Sequence, residues 1–429
     1  MKNELLKCKC VDMTVDGQGI AKADNLVVFV KGMIVGEEAI VKIISEKKNY
    51  AFGIIDELLV RSPHRIDSEC KVSYKCGGCD YRFIDYPFQL ELKKSVLDNT
   101  LRNFNVLDII PDDDPYYYRN KVQVPLKDHK LGFYRKYSND VVEFEDCLIE
   151  SKTANEIIID LRKLLVELKI DMFFRHVLIK HAQGSDEIML AFIVNNFNFP
   201  HLSKVTDYLT SKYSNIRSII LNLNTRDDNV ILGSEEKVVY GNDLIYDNFD
   251  GLKFKISLKS FYQVNYRQML KLYDKIRELS MVGAEDSVLD LYCGIGTISL
   301  YLSRFCKEVT GVEIVKEAVD NAIENAQLNN IGNARFYLDD AGKNMSEYLK
   351  GKDILILDPP RKGITTELID AIKESDINRI VYVSCNPATL DRDLELLKDT
   401  FSIGDIQPVD MFPWTVHVET VVLMSRDKE

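Results

Sequence analysis

The sequence predicts an α/β protein in three unlike pieces: a small β-barrel at residues 1–60, a central α+β domain at 61–255, and a doubly wound parallel sheet at 256–429. Three observations predict it. Short β-rich runs broken by turn residues crowd the first 60 positions, strand and helix patterns mix from Pro111 to Lys255, and beyond Ser257 apolar strands alternate with helical spacing.

The bulk properties suit this division. A chain of 429 residues is too long for one ordinary core. Hydrophobic content of 46% and charged content of 28% match folded proteins. A net charge of -12 excludes a protein that coats nucleic acid non-specifically, so any nucleic-acid partner needs a local concentration of Lys and Arg. No apolar run approaches the roughly 20 residues that cross a bilayer, and the opening MKNELLKCKC lacks a signal core, so a cytoplasmic protein without membrane contact is expected. Nine cysteines, an odd number spread unevenly, argue against a disulfide framework and for metal ligation or catalysis. There is no long repeat, low-complexity tract or heptad series.

The barrel is expected from the turn Asp16-Gly17-Gln18-Gly19 and strands at 26–30, 38–44 and 50–55. Five or so short strands in this length suit an OB-type barrel, whose open face commonly holds nucleic acid. A cysteine-rich stretch follows at 61–82. Leu90, Leu92, Val96, Leu97 and Leu101 then predict a helix near 89–104 that packs on the last domain. The middle domain shows strands at 177–180 and 188–194 and a helix at 154–168, and the last domain has strands at 287–291, 309–312, 354–357 and 380–384.

In Asp290-Leu291-Tyr292-Cys293-Gly294-Ile295-Gly296-Thr297 an apolar strand ends in a carboxylate and a glycine turn before a helix, and glycines such as Gly294 let the backbone approach a ligand. The third glycine of the dinucleotide fingerprint and the Walker lysine are both missing, which disfavours pyrophosphate or triphosphate. Glu313, ending the second strand, stands where doubly wound folds place an acid that accepts both ribose hydroxyls. Asp339 and Asp340 follow the third strand, where a carboxylate such as Asp340 can accept from an adenine amino group. S-adenosylmethionine is the cofactor this Rossmann-like arrangement points to.

The fourth strand runs into Asp358-Pro359-Pro360-Arg361 at the sheet edge where ligands bind. Adenine- and cytosine-methylating enzymes carry an aromatic residue where Arg361 stands, so a different base chemistry is implied. The fifth strand ends in Ser384-Cys385-Asn386-Pro387, placing a thiol beside a helix start, a position that favours thiolate and nucleophilic catalysis over a structural cysteine. Glu419 leads into the last strand as a candidate general base, and on a strand it shares a face with His417. Gln263, in Ser260-Phe261-Tyr262-Gln263-Val264-Asn265, can fix the cofactor, and Phe261 can stack nearby. Cys293 and Cys306 read as packing residues.

These pieces together resemble the uracil-5 RNA methyltransferase family: Ser260-Phe261-Tyr262-Gln263, Asp290 to Gly296, Asp358-Pro359-Pro360-Arg361, Ser384-Cys385-Asn386-Pro387 and His417-Val418-Glu419 stand in family order across the last domain. The resemblance implies that Gln263, Tyr292, Glu313 and Asp358 contact S-adenosylmethionine, that Cys385 is the nucleophile and that Glu419 is the base. Thr297 departs from relatives, which often carry Asn. The chemistry accounts for the parts, because uracil C5 becomes a competent nucleophile only after a thiolate adds at C6. A stacked uracil hides C6, so the base must be flipped or in a loop.

Cys70, Cys76 and Cys79, with Gly77-Gly78 between the last two, lack a fourth ligand. Cys147 supplies it, because Cys8 and Cys10 lie ahead of the barrel and the remaining cysteines belong to the last domain. Four thiolates hold zinc or an iron-sulfur cluster, and spacing leaves both open. The resemblance implies a 4Fe-4S cluster. It is to the ribosomal-RNA branch, which has both a cluster and an amino-terminal TRAM barrel, and so implies 23S rRNA as partner. A tRNA T-loop enzyme and a non-catalytic RNA-binding protein on a methyltransferase scaffold are the alternatives, and a monomer is expected. Tyr116 to Lys121 and Phe133 to Tyr137 mix aromatic and basic residues, which suits unpaired RNA and an ordinary β core alike.

Overall fold

Lysine alternates with cysteine in Leu5–Met13, and the period of two buries Cys8 and Cys10 while Lys7 and Lys9 face solvent; a register shift between Cys10 and Asp12 then turns Met13 inward. This strand opens a closed barrel whose order continues through Gln18–Ala23, Leu26–Lys31, Tyr50–Val60 and Glu38–Glu46, the last pairing back with the first. Cys8 and Cys10, expected ahead of the barrel, are therefore part of its core, and burial pushes their thiols up to about 11 and about 12. The computed structural model describes residues 2–170, 173–343 and 345–426.

The middle of the chain forms a six-stranded sheet in the order Glu235–Gly241, Ile216–Leu223, Glu187–Val194, Phe174–Ala182, Lys121–Lys127 and Lys130–Leu131. Glu187–Val194 is buried at every position after the first because both sheet faces are covered. Ile188, Leu190, Phe192 and Val194 pack under the helices Lys152–Leu168 and Leu202–Lys212. Met189, Ala191 and Ile193 enter a second core together with Val288, Ile354 and Val381 of the last sheet. The two sheets thus share one interior.

That last sheet has seven strands in the order Ala334–Leu338, Glu308–Glu313, Ser287–Leu291, Ile354–Leu357, Arg379–Ser384, Glu419–Ser425 and Ser402–Val409. The first five are parallel, and Glu419–Ser425 is antiparallel to both neighbours. The order reverses between Ser287–Leu291 and Ile354–Leu357, and in open α/β sheets the ligand crevice lies at the carboxyl ends of the strands at such a point. The helix Tyr86–Thr100, capped by the Asp85 carboxylate on Phe88 N, sets Leu97 against the same sheet's core with Leu355, Tyr382 and Leu390. Among the described residues no helix is long and apolar enough to cross a membrane.

Candidate active site

Ser287–Leu291 is buried throughout and delivers Asp290 to the crevice. Tyr292 follows with φ 65°, a left-handed conformation that costs a non-glycine residue about 1–3 kcal/mol and persists only where its surroundings fix it. Its N–H and that of Cys293 donate to Val312 O, which ties the turn to the neighbouring strand. The two glycines act differently. A Cβ on Gly296 would lie 2.8 Å from the Phe336 ring, whereas one on Gly294 would meet nothing, so Gly294 leaves bare backbone facing open space. Glu313 accepts from Gly294 N at 3.2 Å and from Ile314 N and Val315 N at 2.9 Å, which orients its carboxylate beside that turn. Asp340 accepts from Gly342 N at 3.0 Å and pairs with Lys343 at 3.3 Å, and the amide bond holds its carboxyl below the usual range. Cys293 is buried, and burial raises its thiol well above normal.

Gln263 is buried one turn-length before the helix Tyr266–Ser280, which Asn265 caps through Gln268 N. Its segment is fixed from the central sheet: Asn120 Nδ2 donates to Gln263 O at 2.9 Å, and the buried Lys180 ammonium donates to Ser257 O and Ser260 O, each at 2.7 Å. Phe261 remains 66% exposed.

Cys385 leaves the strand Arg379–Ser384, and Asn386 caps the helix Pro387–Leu397 while its Nδ2 donates to Arg361 O at 2.8 Å. The thiol lines a cavity of about 290 Å³ with Asp16, Lys93, Arg361, His417 and Val418, so the barrel reaches the sheet edge. The expected thiolate is not what this setting favours: burial pushes the thiol up to about 11, Glu419 adds to that, and Arg361 opposes it. Glu419 is buried at the start of its strand. His417 lies in the preceding loop, so the strand alternation expected to align the two does not extend to it, and it stands 3.4 Å from Arg361 instead.

Three acids gather here with few cations. Burial pushes Asp290 and Asp358 each up to about 7, with Asp358 and Glu313 adding repulsion at Asp290 and Ser299 opposing through its hydrogen bond. Glu419 is raised well above normal by burial and then by Asp358, against the pull of Arg361. Asp290 Oδ1 and Glu419 Oε2 are buried without a hydrogen-bond partner. Burying such an oxygen is costly until a donor or cation meets it.

The segment before Glu419 is fixed by contacts that sequence spacing could not reveal. Lys93 and Asp410 form a buried ion pair at 2.6 Å, and Lys93 also donates to Phe412 O at 3.1 Å. Tyr118 OH donates to Pro413 O at 3.0 Å, and Tyr116 packs against Trp414 with ring centroids 5.5 Å apart. Those two tyrosines, weighed as RNA contacts, serve the interior, while Tyr134 and Tyr137 are exposed.

Cys70, Cys76, Cys79 and Cys147 all line one larger cavity of about 510 Å³, together with Arg82, Arg119 and Glu150. Burial raises the thiols of Cys76, Cys79 and Cys147 and pushes Glu150 up to about 8, opposed by Arg119. Among the described residues no group of three or more His, Cys, Asp or Glu side chains is arranged to hold a metal ion. Arg361 and His417 line both cavities.

A glycine turn, an oriented carboxylate beside it and a crevice at the strand-order reversal are the working parts of a doubly wound methyltransferase that uses S-adenosylmethionine, and this chain is of that class. Residues 85–427 match the family model described as tRNA (Uracil-5-)-methyltransferase, and residues 12–55 match the TRAM domain. The chain belongs to that uracil-5 RNA methyltransferase family. A protein of Bacillus cereus described as an uncharacterized RNA methyltransferase is 40% identical, covering 99% of this chain and 97% of its own. One of Clostridium acetobutylicum, described likewise, is 39% identical over 96% of this chain and 94% of its own. The solved structure of the Pyrococcus abyssi tRNA (uracil-54, C5)-methyltransferase in complex with S-adenosyl-L-homocysteine superposes with a TM-score of 0.81 at 27% identity, covering 98% of this chain and 100% of that one.

Proposed function

We propose that this chain methylates uracil C5 in RNA through a covalent adduct of Cys385 at C6, with Glu419 removing the C5 proton. The observation that carries the reading is the meeting of Cys385, Glu419 and Asp358 at the rim of the cofactor crevice, with Glu419 Oε2 left unpaired. In the reaction the Cys385 thiolate forms a bond to C6, the C5=C6 pair becomes a C4=C5 bond and the C4=O4 pair moves onto O4, and the resulting enolate makes C5 nucleophilic. After C5 is methylated, Glu419 takes its proton, the electron pair re-forms C5=C6, and the C6–S bond breaks to return the thiolate. Arg361 is the cation that favours loss of the thiol proton.

The residues present fit S-adenosylmethionine. Glu313 would hold the ribose hydroxyls and Asp340 the adenine amino group, while Gly294, Tyr292, Gln263 and Asp358 would complete the contacts. Bound there, the cofactor supplies the methyl group and a positive sulfonium. The unpaired Asp290 Oδ1 and the acids raised by burial suit a cation.

The four-cysteine cavity supports a 4Fe-4S cluster. Four thiols line one space, a ligand set that zinc and an iron-sulfur cluster both use, and the family resemblance favours the cluster. Cys70, Cys76, Cys79 and Cys147 would be its ligands. We propose 23S rRNA as the substrate, on the combination of barrel and cysteine cavity. One finding favours the tRNA reading: the Pyrococcus abyssi tRNA enzyme aligns over 98% of this chain, a span that takes in the barrel. The barrel alone therefore does not separate the two.

The test is to map 5-methyluridine in rRNA and tRNA from cells with and without the protein, and to trap the enzyme on RNA containing 5-fluorouridine. A denaturation-stable adduct that requires Cys385 is expected. No adduct with an active enzyme would end the covalent reading, and loss of 5-methyluridine from tRNA alone would end the 23S assignment.

A further inference from the structure

The cysteine loop grips the segment that leads to Glu419. Asp80 and Tyr81, immediately after Cys79, donate their backbone N–H groups to Trp414 O at 2.9 and 3.0 Å, and Asp80 Oδ2 accepts from Val416 N at 3.2 Å. Trp414 has φ 68°, a strained conformation that only its surroundings maintain. The Arg82 guanidinium lies 4.1 Å from the Trp414 ring centroid and 5.3 Å from that of Tyr116. Its Nε and Nη1 are buried with no acceptor, and the residue lines the cavity of the four cysteines. A buried cation with idle N–H groups is costly, and an anionic group in that cavity offers both the charge and the acceptors it lacks.

We infer that Arg82 is a positioning residue: the anionic group held by Cys70, Cys76, Cys79 and Cys147 fixes its guanidinium over Trp414, and Trp414 in turn holds residues 414–419 against the Cys385 cavity. This rests on the cluster reading given above. The group's contribution is charge and hydrogen-bond acceptance, with no electron transferred.

Trp414 is the single tryptophan of the sequence, so its emission reports on this segment alone. The experiment compares full-length wild type, Arg82→Met and Arg82→Lys for iron, sulfide and zinc content, tryptophan emission, acrylamide quenching and kinetics. Stripping the metal from wild type should shift the emission to the red and increase quenching. Arg82→Met should show the same shift while still loaded, with kcat lowered by roughly 100-fold, as expected for a misplaced catalytic group, and KM for S-adenosylmethionine unchanged. Arg82→Lys, which keeps the charge, should recover part of both signals. A loaded Arg82→Met with wild-type emission and kcat overturns the inference, as does wild-type emission that ignores metal removal. Should Arg82→Met fail to fold, metal removal from wild type decides. Wild type purified without iron, sulfide or zinc overturns the cluster reading and this inference together, whereas a loaded protein with an indifferent Trp414 overturns only this one.

Discussion

Two buried clusters of acids and thiols share a wall made by Arg361 and His417, and they are left incomplete in different ways. Around Cys385 the unpaired buried atoms are carboxylate oxygens, Asp290 Oδ1 and Glu419 Oε2, and burial with mutual repulsion raises the pKa of both acids. Around Cys79 the unpaired atoms are Nε and Nη1 of Arg82 and Oε2 of Glu150, whose other oxygen stands 3.6 Å from Arg119. The first cluster calls for a cation, whereas the Arg82 side of the second calls for an anion. Neighbouring pockets built from similar residue types thus differ in the buried arginine that only the second leaves without acceptors.

Removing the sulfur tests this contrast most severely. Cys385→Ala should abolish methyl transfer from labelled S-adenosylmethionine and form no adduct with 5-fluorouridine RNA, while its iron content stays at the wild-type level. Turnover in that variant would break the covalent half of the comparison. Glu419→Gln should lower kcat by about 10²–10⁴-fold and let the enzyme–RNA adduct accumulate, because addition proceeds while proton removal stalls. Denaturing gels would show the adduct, and its absence would assign Glu419 another role.

A smaller effect sharpens the charge argument. Near pH 7, where Asp290 and Asp358 are poised, binding of the sulfonium cofactor should release protons, whereas the uncharged thioether product should release far fewer. Calorimetry in buffers of different ionisation heat measures this, and equal release by both ligands would sink it. The smallest effect is on the free protein. Because the folded pKa of Asp290 is raised to about 7, the folded state binds more protons than the unfolded one between roughly pH 4 and 7, and stability falls as pH rises through that window. Asp290→Asn should therefore raise Tm more at pH 8 than at pH 5, and a uniform gain would contradict the assignment.

How much was legible in the sequence follows from how local each signal is. The alternation of apolar strands and helices after Ser257 is written in consecutive residues, as is the thiol at the end of Arg379–Ser384, and both are where the pattern put them. The first strand is not read from the sequence because its cysteines are placed ahead of the barrel, although their alternation with Lys7 and Lys9 is a strand pattern. The state of the Cys385 thiol was not legible, since a helix start argues for thiolate and only the folded chain brings Glu419 and Asp358 beside it. Lys93 and Asp410 are 317 positions apart, and nothing in either neighbourhood announces the other.

The strand that begins with Glu419 lies between Arg379–Ser384 and Ser402–Val409, both of which precede it in the chain. During synthesis on the ribosome those two must wait with facing edges unpaired until it threads between them. The sheet's last hydrogen bonds and the carboxylate proposed as base arrive in one movement, so a chain stalled short of this strand would be both sticky and, on that proposal, inert. Quality control that removes such chains also removes inactive enzyme.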